Sequence, residues 1–301
     1  MVGYNIKLER YANGQCKITL YDDCVGKQVS GEPSYREDII SKRDSRYKKE
    51  SAREWVDNPF TGERDCIVDD ATAKYLERKA EHNMQRSISR TKQHLFAYSR
   101  QCRWEYFVTL TFSDECVCRE DFSECMKKAR TWFNNQKKRY AWDLQYLIVP
   151  EQHKKGGWHI HGVISNVGNI SFVDSGRVAI GKRSFIRNSK NAMYPTIYNL
   201  GGWRYGFSTA TQVQDAYKVS GYICKYITKE LCQVTKGKNR YYKSNNIPEP
   251  ETDIFFVAPE EVEEFVQTLE DSLGVNLTYQ KQIDGYVSAT YKYYDMEREE
   301  K

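Results

Sequence analysis

A chain of 301 residues can hold one good-sized catalytic domain plus one or two smaller appendages. Charged residues make up 29% of it and apolar residues 40%, with 14% aromatic, enough hydrophobic material for a packed core under a heavily solvated surface. No stretch approaches the roughly 18 consecutive apolar residues of a membrane span, and Met1 to Tyr11 lacks the apolar segment of a secretory signal, so a soluble protein of the cytoplasm is expected.

The formal net charge is only +5, yet basic residues gather at Lys127, Lys128, Arg130, Lys137, Lys138 and Arg139, and again between residues 218 and 240. Such clusters suit a polyanion; the plainer reading of each is a solvated helix face. Nine cysteines, an odd number without a C-x-x-C pair, read as reduced thiols, and Cys116, Cys118 and Cys125 lack the second ligand pair a zinc cluster needs.

In chain order, residues 4–8 and 16–21 read as paired strands joined through the turn residues Asn13 and Gly14, after which the chain to about residue 65 becomes charged and irregular. Residues 70–101, poor in Gly and Pro, favour helix, and its second half carries Arg86, Arg90, Lys92 and Arg100, placed to touch a phosphate backbone. Residues 106–112 (YFVTLTF) alternate as a strand and residues 121–140 read as an amphipathic helix. Residues 146–152 and 158–164 read as two further strands, with Lys154-Lys155-Gly156-Gly157 as their hairpin turn. An irregular insertion then runs to about Thr209, followed by a helix over 215–231 and a short strand over 240–245. This β-α-β-β-α-β order predicts an α+β fold, a ferredoxin-like split βαβ around a central antiparallel sheet. It divides the chain into an accessory region 1–82, a catalytic domain 83–247 and a C-terminal appendage 248–301. There is no internal repeat and no G-x-x-x-x-G-K-[ST] phosphate loop, so a built-in helicase motor is not supported.

Chemistry concentrates in three segments. In His159-Ile160-His161, strand alternation points both imidazoles to one face, where they either share a metal or hydrogen-bond on an exposed strand. Glu151 ends the preceding strand, and the hairpin folds it back beside them. Two imidazoles and one carboxylate make an open site suited to Mg²⁺ or Mn²⁺, with positions left for a phosphate oxygen; His153, in the turn, ranks behind Glu151. In the helix KVSGYICKYITK, helical spacing groups Val219, Ile223, Ile227 and Leu231 as an apolar stripe and Lys218, Tyr222, Lys225 and Lys229 on nearly the opposite side, with Tyr226 between. A tyrosine ringed by ammonium groups suits an anion, while core packing with a rim hydroxyl is the other reading of each tyrosine. A phenol has an ordinary pKa of about 10. Nearby lysines favour the phenolate, and a metal on the phosphate neutralises charge developing on its oxygens. The third segment, FVTLTF, sends Val108, Leu110 and Phe112 into the core and leaves Thr109 and Thr111 as the floor of the site.

In order and spacing these segments resemble the three motifs of HUH-endonuclease replication initiators: an F-x-T-L-T strand, an H-x-H strand with an upstream Glu, and a Y-x-x-K helix. The likeness is to replication-associated proteins of filamentous phages and of Firmicute plasmids and integrative elements, with a further similarity to microvirus initiators, which carry Y-x-x-K-Y. It covers about residues 83–246, including Arg86-Ser-Ile-Ser-Arg-Thr-Lys92 and Val219-Ser-Gly-Tyr-Ile. The resemblance implies Glu151, His159 and His161 as ligands of a divalent metal ion, Tyr222 as nucleophile, Lys225 as its helper and Tyr226 as a candidate second nucleophile. It sets Thr109, Thr111, Lys218, Lys229, Arg86 and Arg90 against DNA.

The implied activity is nicking and rejoining of a single-stranded origin, exposed in a hairpin loop, through a 5′-phosphotyrosine and a free 3′-OH. It needs no ATP, membrane or small-molecule substrate, works in a bacterial host's cytoplasm, and leaves unwinding and synthesis to host helicase and polymerase. Rival readings are a relaxase or single-tyrosine transposase of the same class, and a non-catalytic single-strand-binding module on a ferredoxin-like sheet. The last would leave Glu151, His159 and His161 without a purpose.

Overall fold

The computed structural model describes residues 3–25, 54–57, 64–67, 70–153, 156–181, 183–215, 218–283 and 288–296. It opens with β1 (Tyr4–Arg10) and β2 (Cys16–Val25), whose inward residues Ile6, Leu8, Cys16 and Ile18 are buried. Their turn includes Gly14 at φ 88°, a left-handed conformation that Gly adopts without a Cβ clash. A small pair, β3 (Glu54–Asp57) and β4 (Arg64–Ile67), follows.

Helix α1 (Asp70–Ser99) leads to β5 (Tyr106–Thr111) and α2 (Phe122–Arg139). Asp121 caps α2 by accepting from the backbone N–H of Ser123 at 2.7 Å and Glu124 at 3.1 Å. Then come β6 (Gln145–Gln152), β7 (Trp158–Ser165), β8 (Phe172–Ile180), β9 (Arg183–Ile186), β10 (Thr196–Leu200) and β11 (Ser208–Gln212). Two short helices, α3 (Lys218–Cys224) and α4 (Lys229–Val234), precede β12 (Tyr242–Lys243). The chain continues through β13 (Glu251–Phe255), α5 (Val262–Leu273), β14 (Val275–Ile283) and β15 (Ala289–Met296).

The main sheet runs β12-β6-β7-β5-β11-β10-β8-β9, with antiparallel neighbours. Helix α2 carries the chain from β5 to β6 across β7, and α3 and α4 carry it from β7 to β12 across β6. This is a mixed α+β architecture compatible with the expected split βαβ arrangement. Period-two alternation assigns the faces. Val108, Leu110, Ile148 and Ile160, all buried, face α2, where Phe133 stacks on Tyr146 at 4.3 Å and Phe122 meets Trp158 at 4.8 Å. The opposite face carries buried Leu147, Val149 and Val163 below the α3–α4 segment, backed by α1 through the 2.6 Å hydrogen bond between the Ser99 and Ser220 hydroxyls.

Three expectations need correction. The insertion before Thr209 is not irregular: β8 to β11 extend the sheet. The single helix over 215–231 is two, because Thr228 leaves the helical conformation and caps α4, accepting from Leu231 N–H at 3.2 Å. The strand over 240–245 shrinks to Tyr242–Lys243. The Lys154-Lys155 part of the hairpin turn lies outside the described residues.

The two ends of the chain share a second sheet, β13-β1-β2-β15-β14, in which β1 and β2 are flanked by strands from beyond residue 250. Val266 of α5 seals its core with Ile6, Leu8, Ile18 and Tyr294. The eight described cysteines are free thiols.

Candidate active site

Sheet register assembles the site. The β5–β7 pairing sets Thr109 opposite His161 and Thr111 opposite His159, and the β6–β7 pairing sets Glu151 opposite His159. All five side chains stand on one face. The Thr109 hydroxyl lies 3.1 Å from His161 Nδ1 and the Thr111 hydroxyl 3.2 Å from His159 Nδ1, so each ring is held by its inner nitrogen. The two imidazole planes are within 7° of parallel, with centroids 6.5 Å apart. Glu151 reaches diagonally and places Oε2 2.7 Å from His161 Nε2.

The break after α3 brings the tyrosines onto these histidines. Tyr226, in the turn, stacks its ring on His161 at 4.0 Å with 4° between planes, and its hydroxyl donates to the Tyr222 hydroxyl at 3.0 Å. Tyr222 packs on Phe107 at 4.4 Å and also hydrogen-bonds Thr109. Lys225 Nζ sits over both rings, 3.8 Å from the Tyr222 centroid and 4.7 Å from that of Tyr226. Glu151, His161, Thr109, Tyr222 and Tyr226 therefore form one connected polar chain.

The electrostatics follow from these contacts. The hydrogen bond from His161 holds the Glu151 carboxyl below its ordinary range, against partial burial. Burial and the neighbouring imidazoles push His159 below its usual value. Burial raises both phenols; Tyr226, whose hydroxyl donates to Tyr222, rises far above the ordinary value. Here the structure departs from the expectation that a ring of lysines favours the phenolate. Lys225 lies on ring faces, Lys218 pairs with Asp215 at 2.9 Å and Lys229 with Glu81 of α1 at 3.0 Å, so desolvation governs both tyrosines.

Of the residues singled out from sequence, Glu151, His159, His161, Thr109, Thr111, Tyr222, Lys225 and Tyr226 converge. Thr109 and Thr111, expected against DNA, spend their hydroxyls on the histidines. Arg86 and Arg90 stand exposed on α1, and Lys218 and Lys229 at the edge of the tyrosine segment. His153 is a ring neighbour of His159 at 5.6 Å. Phe107, the wall behind Tyr222, was readable from strand alternation, which places it on the face of Thr109.

Among the described residues no group of three or more His, Cys, Asp or Glu stands assembled around a metal position. The donor set nevertheless fits a divalent cation. With Nδ1 of each histidine anchored on a threonine, Nε2 is the nitrogen left to face outward, the usual outer-shell device that orients a metal-binding imidazole. Glu151 now occupies His161 Nε2, so loading requires that carboxylate to give up the hydrogen bond.

Fold and site define a mixed α+β protein with a His-His-Glu and two-tyrosine cluster on an antiparallel sheet. Residues 105–231 match the model of a family of replication-associated proteins, the one described under the name ORF2, which supports a replication-initiator role of the phage or plasmid kind. The matched segment contains Glu151, both histidines and both tyrosines. A search of the curated proteins and of the solved structures finds no match. No described helix is long and apolar enough to cross a membrane.

Proposed function

We propose that the protein starts rolling-circle replication by nicking and rejoining single-stranded DNA through Tyr222. The observation that carries this reading is the stack of Tyr226 on His161 with the Tyr222 hydroxyl 3.0 Å from that of Tyr226, which puts both tyrosine hydroxyls over a His-His-Glu donor set.

The Tyr222 oxygen attacks the scissile phosphorus and loses its proton; the bond from phosphorus to the 3′ oxygen breaks, and that oxygen leaves as a free 3′-OH. One phosphoester replaces another, so no ATP is consumed, and attack by a 3′-OH on the phosphotyrosine reverses the step. Tyr222 is the better first nucleophile because it is only half-buried, whereas Tyr226 is 8% exposed and packed against His161. Thr109 orients both His161 and Tyr222. Lys225, above both rings, supplies positive charge beside the arriving phosphate. Glu151, His159 and His161 would hold Mg²⁺ or Mn²⁺, which supplies Lewis-acid neutralisation of phosphate charge. The origin is a single strand presented in a hairpin loop; in the cytoplasm, host helicase unwinds the duplex and host polymerase extends the released 3′-OH.

The test is incubation of the protein with Mn²⁺ and single-stranded DNA from its own genetic element, resolved on a denaturing gel. A covalent adduct that disappears in Tyr222→Phe and His161→Ala is the expected result. Tight binding without cleavage under any metal would instead favour a non-catalytic single-strand binder.

A further inference from the structure

On the α2 side of the sheet, away from the tyrosines, a cavity of about 400 Å³ opens between α2 and the loop that follows β10. Its wall holds a buried donor without an acceptor. Trp132 is 3% exposed, yet its indole N–H has no hydrogen-bond partner among the described residues. A buried N–H left unpaired is costly, which makes it a pointer to a ligand that supplies the acceptor. One helical turn on, Gln136 is 6% exposed and turns its amide nitrogen to the same place. A Cβ on Gly202, which lines the cavity at φ 76°, would stand 3.6 Å from Gln136 Nε2 and 4.0 Å from Trp132 Nε1. The absence of a side chain at 202 thus leaves open the space into which both donors point.

The rim has matching chemistry. Arg139 and Arg204 line the opening, both exposed, Tyr205 offers a ring, and no carboxylate is among the lining residues. An indole N–H, an amide NH₂ and two guanidinium groups call for an anionic ligand rich in acceptors, and the aromatic wall for a planar one.

We propose that this cavity binds one unstacked nucleotide of a DNA single strand, its base carbonyl on Trp132 and Gln136 and its phosphate on Arg139 and Arg204. The volume admits a single nucleotide, and the buried donors lie too deep for the backbone of a duplex. The site would anchor the strand on the face opposite the chemistry. The inference rests on the single-strand-processing reading only in its choice of DNA as the anion.

The experiment measures binding of a strand of about 30 nucleotides and cleavage of one of about 10 nucleotides limited to the nick sequence. Arg139→Glu with Arg204→Glu is expected to weaken binding of the longer strand about tenfold and to lower its salt slope by about 1.4, two single-strand phosphate contacts. Trp132→Phe, which keeps the aromatic packing and removes the N–H, is expected to weaken it about fivefold. Cleavage of the short strand stays unchanged in both. Lys137→Glu with Lys138→Glu makes the same charge change outside the cavity and should cost far less. Equal losses from the two charge-reversed pairs, unchanged affinity in Trp132→Phe, or a mononucleotide that fills the site without competing with the strand would each overturn the proposal. If the wild type binds the longer strand with these sensitivities but cleaves nothing, the nicking reading fails and the anchor site stands.

Discussion

Replacing Thr109 with Val keeps the β-branched shape that suits a strand and removes only the hydroxyl. Two contacts go with it: the 3.1 Å bond to His161 Nδ1 and the hydrogen bond to Tyr222. A neutral hydrogen bond contributes about 1 kcal/mol net, so the pair is worth about 2 kcal/mol, which sets an upper bound on the folding cost. Protein stabilities run about 5–15 kcal/mol, so the variant still folds. The larger consequence is for His161, whose side chain is 13% exposed and whose ring loses the anchor that leaves Nε2 facing Glu151. Outer-shell losses of this kind weaken metal binding about 10- to 100-fold. Calorimetric titration of Mn²⁺ into wild type, Thr109→Val and Thr111→Val, with thermal melts alongside, reads both effects. Thr111→Val removes the equivalent bond to His159 at 3.2 Å and should behave alike for metal. Mn²⁺ affinity within about twofold of wild type in both variants would show that the hydroxyls do not preorganise the site, and would refute the reasoning.

Gly162, between the histidine strand and β6, has no room for a side chain: a Cβ would meet Ile148 Cγ2 at 2.5 Å and the Leu147 carbonyl at 2.6 Å. Gly162→Ala should cost about 2 kcal/mol or more and lower the melting point by about 5 °C; an unchanged melt would contradict the close packing. Lys225→Met removes a cation over two rings, worth about 1 kcal/mol, and is expected to slow adduct formation more than it lowers the melting point, a split visible by running both assays on one preparation. In the terminal sheet, burial raises the pKa of Glu9, but its ion pairs with Lys17 and Lys7 outweigh burial and leave it below 4.5. A depressed carboxyl contributes stability that is present above its unfolded value and lost as pH falls through the folded one. Glu9→Gln should therefore flatten the fall in stability below about pH 4.5, and an unaltered acid limb would count against the pair's role.

The parts of this molecule that were legible in its sequence are those fixed by local periodicity. Residues 106–112 and 158–164 alternate cleanly because one face meets α2 and the other carries the polar site, and 121–140 shows the stripe that α2 buries beneath a capping Asp121. His159, His161 and Glu151 could be set side by side because period two and a hairpin are enough to do it. What escaped depends on pairings between distant residues or on a single cap. Nothing local in Tyr4 to Arg10 announces that Glu251 to Phe255 will lie beside it, so the ends looked like separate appendages. In β8 the run FVDSGRVAI has Gly176 and a broken alternation, which hides a strand that pairs on both sides. The helix break was signalled by Thr228, a good N-cap followed by Glu230, but the stripe of Val219, Ile223, Ile227 and Leu231 reads through it, since all four are buried in either arrangement. That break is what turns Tyr226 onto His161.

Peptide mapping of the covalent product tests the central claim most directly. After reaction with Mn²⁺ and its single-stranded origin, the protein should yield a peptide bearing a 5′-phosphonucleotide on Tyr222, and the released fragment should end in a 3′-OH that a polymerase extends. A nucleotide carried by some residue other than Tyr222 or Tyr226, or cleavage that leaves a free 5′-phosphate with no protein attached at any time, would contradict it.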